Sequence, residues 1–120
     1  TSKESGFSIN DHNTILAIIG EAENQGARGM RYIGCGIRNR GTLKGVYGLN
    51  AKRVINRQYS IATYNMAKEA WELSARPEMC VELDGADHWE NINSFGRPYW
   101  VDSMVETYRW KDHIFYKKRR

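Results

Sequence analysis

Glu21 closes the apolar run Ile15-Leu-Ala-Ile-Ile-Gly-Glu21 and is followed by Ala22 and Glu23. A carboxylate where a greasy helix meets open space can have its pKa raised by desolvation. A carboxyl kept protonated near neutral pH and aimed at a cleft is the general acid that glycoside cleavage needs. On this segment alone the plainer reading, a solvated carboxylate decorating a helix end, stands ahead. Glu23, Asp84, Asp87 and Glu90 are further candidates for acid–base work. A hydrolytic partner for Glu21 would stand about 5–5.5 Å away for retention or about 6.5–9.5 Å for inversion. Asp84, Asp87 and Glu90 are the candidates for it, because Glu23, two residues on in a helix, points to a different face. Tyr99, Trp100, Tyr108 and Trp110, with Trp89, could stack on sugar rings. Singly, each aromatic is more often core than site; their clustering around a loop and a hairpin favours a groove.

Other chemistries find little support. His12, His88 and His113 are far apart, and no His-x-x-x-His or Cys-x-x-Cys occurs. There is no Gly-x-Ser-x-Gly elbow and no phosphate-cradling glycine loop. The chemistry left on offer requires no cofactor and no metal. Cys35 and Cys80 make neither a disulfide framework nor a metal site by spacing. Cys35 falls within a helical pattern and reads as a small buried hydrophobe; a Cys35–Cys80 bridge is the alternative.

Helices must position the acid. Residues 1–10 read as a flexible lead and 11–120 as one catalytic domain. Asp11 or Asn13 can cap a helix running to about Glu23, with Ile15, Ile18 and Ile19 on one face. A second helix is expected over about Arg28 to Arg40, with Met30, Ile33, Gly34 and Ile37 at helical spacing. Its Gly29, Gly34 and Gly36 lower helix propensity, and close approach of a neighbouring helix, such as the one carrying Glu21, is the expected return. Gly41 suits the position just past its end. Gly41 to Gly48 is a glycine-punctuated loop. Asn50 can cap a short helix over Ala51 to Asn56. Ser60 can cap a longer one to about Ser74, with Ile61, Tyr64, Ala67 and Trp71 on one face. Arg76-Pro77 stops it.

Met79 to Leu83 reads as a short strand or extended loop, and Gly85 to Pro98 as a long working loop. Val105, Thr107 and Arg109 then alternate against Tyr108 and Trp110. Lys111-Asp112 is the expected turn and His113 to Tyr116 the return strand. The fold class is therefore α+β, mostly helical, with a small antiparallel element near the C-terminus.

The 120 residues suffice for one domain, expected to be a monomer. No run approaches the roughly 20 apolar residues of a membrane span. Residues 1–9 are polar and mixed, unlike a signal peptide. A first residue Thr reads as a processed or excised fragment, which leaves export open. Formal net charge is +4, much of it in Lys117-Lys118-Arg119-Arg120. Such a tail favours a polyanion, nucleic acid or bacterial wall. Nucleic acid is the weakest choice, since no recognition-helix or RNA motif is present.

Gly20-Glu21-Ala22-Glu23, the Gly26–Gly29 stretch and the helix Met30 to Asn39-Arg40 resemble the opening of the SleB-type cell wall hydrolase family. Gly85-Ala-Asp-His88-Trp-Glu-Asn91 resembles its Gly-Ala-Thr-His-(aromatic)-His-Asn block. Pro98-Tyr99-Trp100 and His113-Ile-Phe-Tyr116 resemble its last blocks. The matches run in order over about residues 14 to 117. The chain departs from the family at Glu23, where an Arg is usual, and at Glu90, where a His is usual, and residues 41–75 match weakly.

The resemblance implies a lysozyme-like fold and action on the glycan strands of peptidoglycan, as a lytic transglycosylase or muramidase. It implies cleavage of the bond between N-acetylmuramic acid and N-acetylglucosamine with Glu21 as the one essential carboxyl, acid and then base. It also implies work at the bacterial wall, whether the protein is secreted, periplasmic or phage-delivered. His88 and Asn91 fall in the matched block and are expected to bind substrate amides or hold Glu21. Trp100 and Tyr116 are expected to line a substrate groove or seal it from below, Tyr99 to bind substrate, and Tyr108, on one hairpin face with Trp110, to form a wall. A peptidoglycan-binding module without chemistry, or an N-acetylmuramoyl-L-alanine amidase, are the alternatives.

Overall fold

The computed structural model describes residues 10–91, 96 and 98–119. Apart from Asn10, the expected lead lies outside them, as does part of the long loop. Among the described residues, four α-helices come first: α1 (Asp11–Ala22), α2 (Gly26–Arg40), α3 (Lys52–Ile55) and α4 (Ile61–Leu73). Three strands follow: β1 (His88–Asn91), β2 (Met104–Trp110) and β3 (His113–Lys118). They form one antiparallel sheet in the order β1-β3-β2. The α+β class and the small antiparallel element near the C-terminus are as the sequence predicts. Among the described residues, no helix is long and apolar enough to cross a membrane.

Asn10 caps α1, one residue before the expected start. Its extended backbone lets its side chain accept the Asn13 N–H at 2.9 Å. The apolar side of α1 is then fully enclosed, with Ile15, Ile18 and Ile19 at most 2% exposed. α2 begins two residues earlier than expected, and Gly41 ends it in the left-handed region, with its N–H on the Ile37 carbonyl at 2.9 Å. α3 is shorter than expected and Asn50 does not cap it. Ser60 does cap α4, accepting from the Thr63 N–H at 3.0 Å. The buried side of α4 is Ala67, Ala70 and Trp71; Ile61 is 81% exposed, contrary to the expected face. Trp71 ties α4 to the start of α1, its Nε1–H donating to Asp11 at 3.1 Å.

Neither a strand nor an extended loop occupies Met79 to Leu83. Two 3-10 turns, Pro77–Met79 and Val81–Leu83, flank Cys80, which is bonded to Cys35. Cys35 is thus buried, as a small hydrophobe would be, but it is half of a disulfide. Its place in the middle of α2 brings the two Cα atoms to 5.7 Å, within bridging range.

β1 arises inside the segment read as loop. It pairs with β3 in the register His88 with Tyr116 through Asn91 with His113. The β2–β3 hairpin turns at Lys111-Asp112, as expected, with Lys111 at positive φ. Between Glu106 and Tyr108 the register slips, so the alternation expected along β2 breaks there. His113 and Phe115 share one face of β3, and Phe115 joins the helical core of Ile18, Tyr32, Ile33 and Ile37. Ile114 and Tyr116, on the other face, form a smaller cluster with Val101 and Met104.

Candidate active site

Glu21 stands in the last turn of α1 and lines an open cleft of about 840 Å³. One wall is the 3-10 turn Tyr47–Asn50, which packs backbone to backbone on α1 at Gly20 and Gly48. A Cβ on Gly48 would lie 2.5 Å from the Ala17 carbonyl oxygen and 2.8 Å from the Glu21 Cγ. Only two glycines let these segments close so tightly beside the acid. The other wall is β1 together with the 3-10 turn Tyr99–Ser103.

Trp89 holds the acid. Its Nε1–H donates to Glu21 Oε1 at 3.3 Å. The indole lies against Gly36 of α2, where a Cβ would come within 2.7 Å of the ring. The close approach expected of a helix at this glycine is made by a strand-borne indole instead. His113, buried at the start of β3, hydrogen-bonds the backbone of Glu21; burial lowers its own pKa. The sheet therefore grips Glu21 twice, once by side chain and once by backbone.

Two arginines set the charge around the acid. Arg53 donates to the Gly20 carbonyl at 2.7 Å and the Ile19 carbonyl at 3.3 Å. These carbonyls belong to the negative end of α1, where a cation is favoured. Its Nε pairs with Glu23 at 2.8 Å. Arg40 donates to the carbonyls of Asp87 at 2.9 Å and Lys44 at 2.6 Å, joining the loop after α2 to the approach to β1.

Burial pushes the Glu21 pKa from 4.5 up to about 7. The Trp89 hydrogen bond favours the charged form and opposes this; Glu90 reinforces it, and Arg40 and Arg53 oppose it. Desolvation is the largest influence, so the carboxyl is half-protonated near neutral pH.

Besides Trp89, the expected residues His88, Glu90, Asn91, Tyr99 and Trp100 line the cleft with Glu21. His88 pairs through Nδ1 with Asp87 at 2.8 Å, and its ring lies 5.3 Å from that of Trp100. Tyr99 is 92% exposed. Tyr116 does not line the cleft; it is buried and meets Trp100 edge-on at 5.4 Å, beneath it. Tyr108 is also elsewhere. It lies on β2, separated from β1 by β3, and packs with Trp110 against Tyr32 of α2. The two do share a face, as the alternation predicts, but it is a helix-packing face and not a groove wall.

Glu23 does line the cleft. The helical spacing that turned it away fails because α1 ends at Ala22 and a 3-10 turn, Glu23–Gln25, redirects the chain. Tyr47, 74% exposed on the first wall, and Arg53 line the cleft as well. Tyr47 had one available signal, its place in a glycine-punctuated loop. Arg53 had none, since nothing local foretells contact with α1.

No family model matches the chain, and no curated protein or solved structure shows significant similarity to it.

Proposed function

We propose that this chain is a peptidoglycan-cleaving glycosidase with Glu21 as its general acid. A helix delivering one acid to a cleft, faced by a small antiparallel sheet, supports a lysozyme-like arrangement. The observation that carries the reading is the Glu21 carboxyl: desolvated, held by Trp89 and pushed to about 7 at the base of an open cleft. A catalytic acid is most effective with a pKa near the working pH. Exposed Tyr47 and Tyr99 on the two walls, with Trp100 beside His88 of β1, offer ring faces to a glycan strand.

Protonated Glu21 donates to the glycosidic oxygen between N-acetylmuramic acid and N-acetylglucosamine as the bond to C1 breaks. The arginines and the positive charge of the chain suit an anionic polymer. The Cys35–Cys80 disulfide suits an oxidising compartment, as a protein working at the wall would meet.

Digestion of purified peptidoglycan, followed by mass spectrometry of the released fragments, tests this. Cut glycan from the wild type, and about 100-fold or more less from Glu21→Gln, are expected. Free stem peptides would make the chain an amidase. Binding without release of any fragment would make it a wall-binding module. Undiminished cleavage by Glu21→Gln would remove Glu21 from the chemistry.

A further inference from the structure

Protonation of the glycosidic oxygen leaves open what attacks C1. A hydroxyl of the sugar itself closes an anhydro ring, and no water is consumed. Water gives a reducing end, and that route needs a base to take its proton. The acids near Glu21 differ in their freedom to do so. Asp84 is held by Lys117 at 2.7 Å and Asp87 by His88 at 2.8 Å, and neither lines the cleft. Glu23 lines it but is paired with Arg53 at 2.8 Å.

Glu90 is placed differently. It lies on β1, an edge strand of the sheet, and lines the same cleft as Glu21. The next residue, Asn91, is opposite His113 in the ladder, and His113 bonds the backbone of Glu21. Trp89, the neighbour of Glu90 on the other side, touches the acid through its indole, while Glu90, sent by strand alternation to the opposite face of β1, still lines the cleft. Glu90 Oε1 accepts the Asn91 backbone N–H at 3.0 Å, which orients its carboxylate. The charge of Glu90 is also felt at Glu21, where it disfavours ionisation. Two carboxyl groups in one cleft, one with its pKa raised by burial, is the pattern that separates acid from base.

We propose that Glu90 is the general base of a water-consuming cleavage at this cleft, which makes the chain a muramidase and not an anhydro-forming enzyme. The inference rests on the glycosidase reading. Glu21 gives its proton to the leaving oxygen as the C1–O bond breaks. Glu90 takes a proton from water as the water oxygen bonds to C1. One water is consumed, and both carboxyls return to their starting states by proton exchange with solvent. Glu90 stands where the resembled family usually has His, so the base belongs to this chain's own sequence.

Digestion of purified peptidoglycan in H2(18)O, with prompt reduction and mass spectrometry of the fragments, tests it. The wild type is expected to place 18O at the new muramic reducing ends. Glu90→Gln is expected to lose about 100-fold or more in rate while keeping the wild-type melting temperature within a few degrees. Anhydro-muramic ends without 18O from the wild type would overturn the role of Glu90 and leave the glycosidase reading standing. So would 18O-labelled cleavage by Glu90→Gln at the wild-type rate. Release of no glycan fragment by the wild type would remove both.

Discussion

Replacing Glu21 with Gln should make the protein more stable as the pH rises, whatever it does to activity. In the folded chain the carboxyl ionises near 7 instead of at 4.5. At about 1.4 kcal/mol per pH unit, that interval amounts to about 3 kcal/mol disfavouring the ionised form in the folded protein. The sign follows from proton counts. Between pH 4.5 and 7 the folded state binds more protons at this site than the unfolded one, so stability falls as pH rises through that window. Below it both states are protonated and the penalty is absent; above it both are ionised and the penalty is complete. Gln keeps the shape of the side chain and can still accept from Trp89, but it does not titrate. Urea unfolding of both proteins at pH 4, 6 and 8 measures the effect. The stability difference should move by about 3 kcal/mol in favour of Glu21→Gln between the ends of the series. Other groups titrate alike in the two proteins and cancel. A difference that stays flat with pH would refute a desolvated Glu21, and with it the physical basis for a general acid here.

Two further outcomes follow from the packing. Gly48→Ala should cost about 1–3 kcal/mol, seen as a drop of roughly 5–10 °C in Tm, because its Cβ must displace the Ala17 carbonyl and the Glu21 side chain. Wall cleavage should fall with it, whereas Gly41→Ala, with left-handed φ but nothing within 4 Å, should cost about 1 kcal/mol and leave cleavage intact; equal effects at the two sites would refute the close approach beside Glu21. Reducing Cys35–Cys80, which closes a 45-residue separation, should remove about 4 kcal/mol by loop entropy and lower Tm by roughly 15 °C. Thermal scans with and without reductant, with thiol labelling to prove the bond open, decide it; an unchanged Tm would refute the estimate.

The helical half was largely legible because its signals are local. The apolar spacing of Ile15, Ile18 and Ile19, the Ser60 cap and the left-handed Gly41 each act within a few residues. The sheet half was legible only at its hairpin, where Lys111-Asp112 joins two neighbouring strands. β1 escaped because its partner β3 lies over 20 residues away in sequence and its four residues are all partly buried, with no alternation to read. The slip between Glu106 and Tyr108 is likewise set by pairing and not by any local residue preference. In the site, Glu21 was visible from its own neighbours. Trp89 as its holder was not, because that contact depends on Gly36 of another helix leaving room for an indole. Tyr108 was misplaced for the same reason: alternation tells which residues share a face and is silent on what the face meets.

The disulfide also decides what a protease can do to this molecule. Cys35 and Cys80 enclose residues 36–79, the stretch that carries Arg40, the Tyr47–Asn50 wall and Arg53. Glu21 and β1 lie outside that ring, on either side of it in sequence. A single cut anywhere inside the ring, such as at the exposed residues around Tyr47 or Arg57, leaves two pieces that cannot part. A nicked molecule keeps every residue of the cleft on one covalent body, and it falls into fragments only when the bond is reduced.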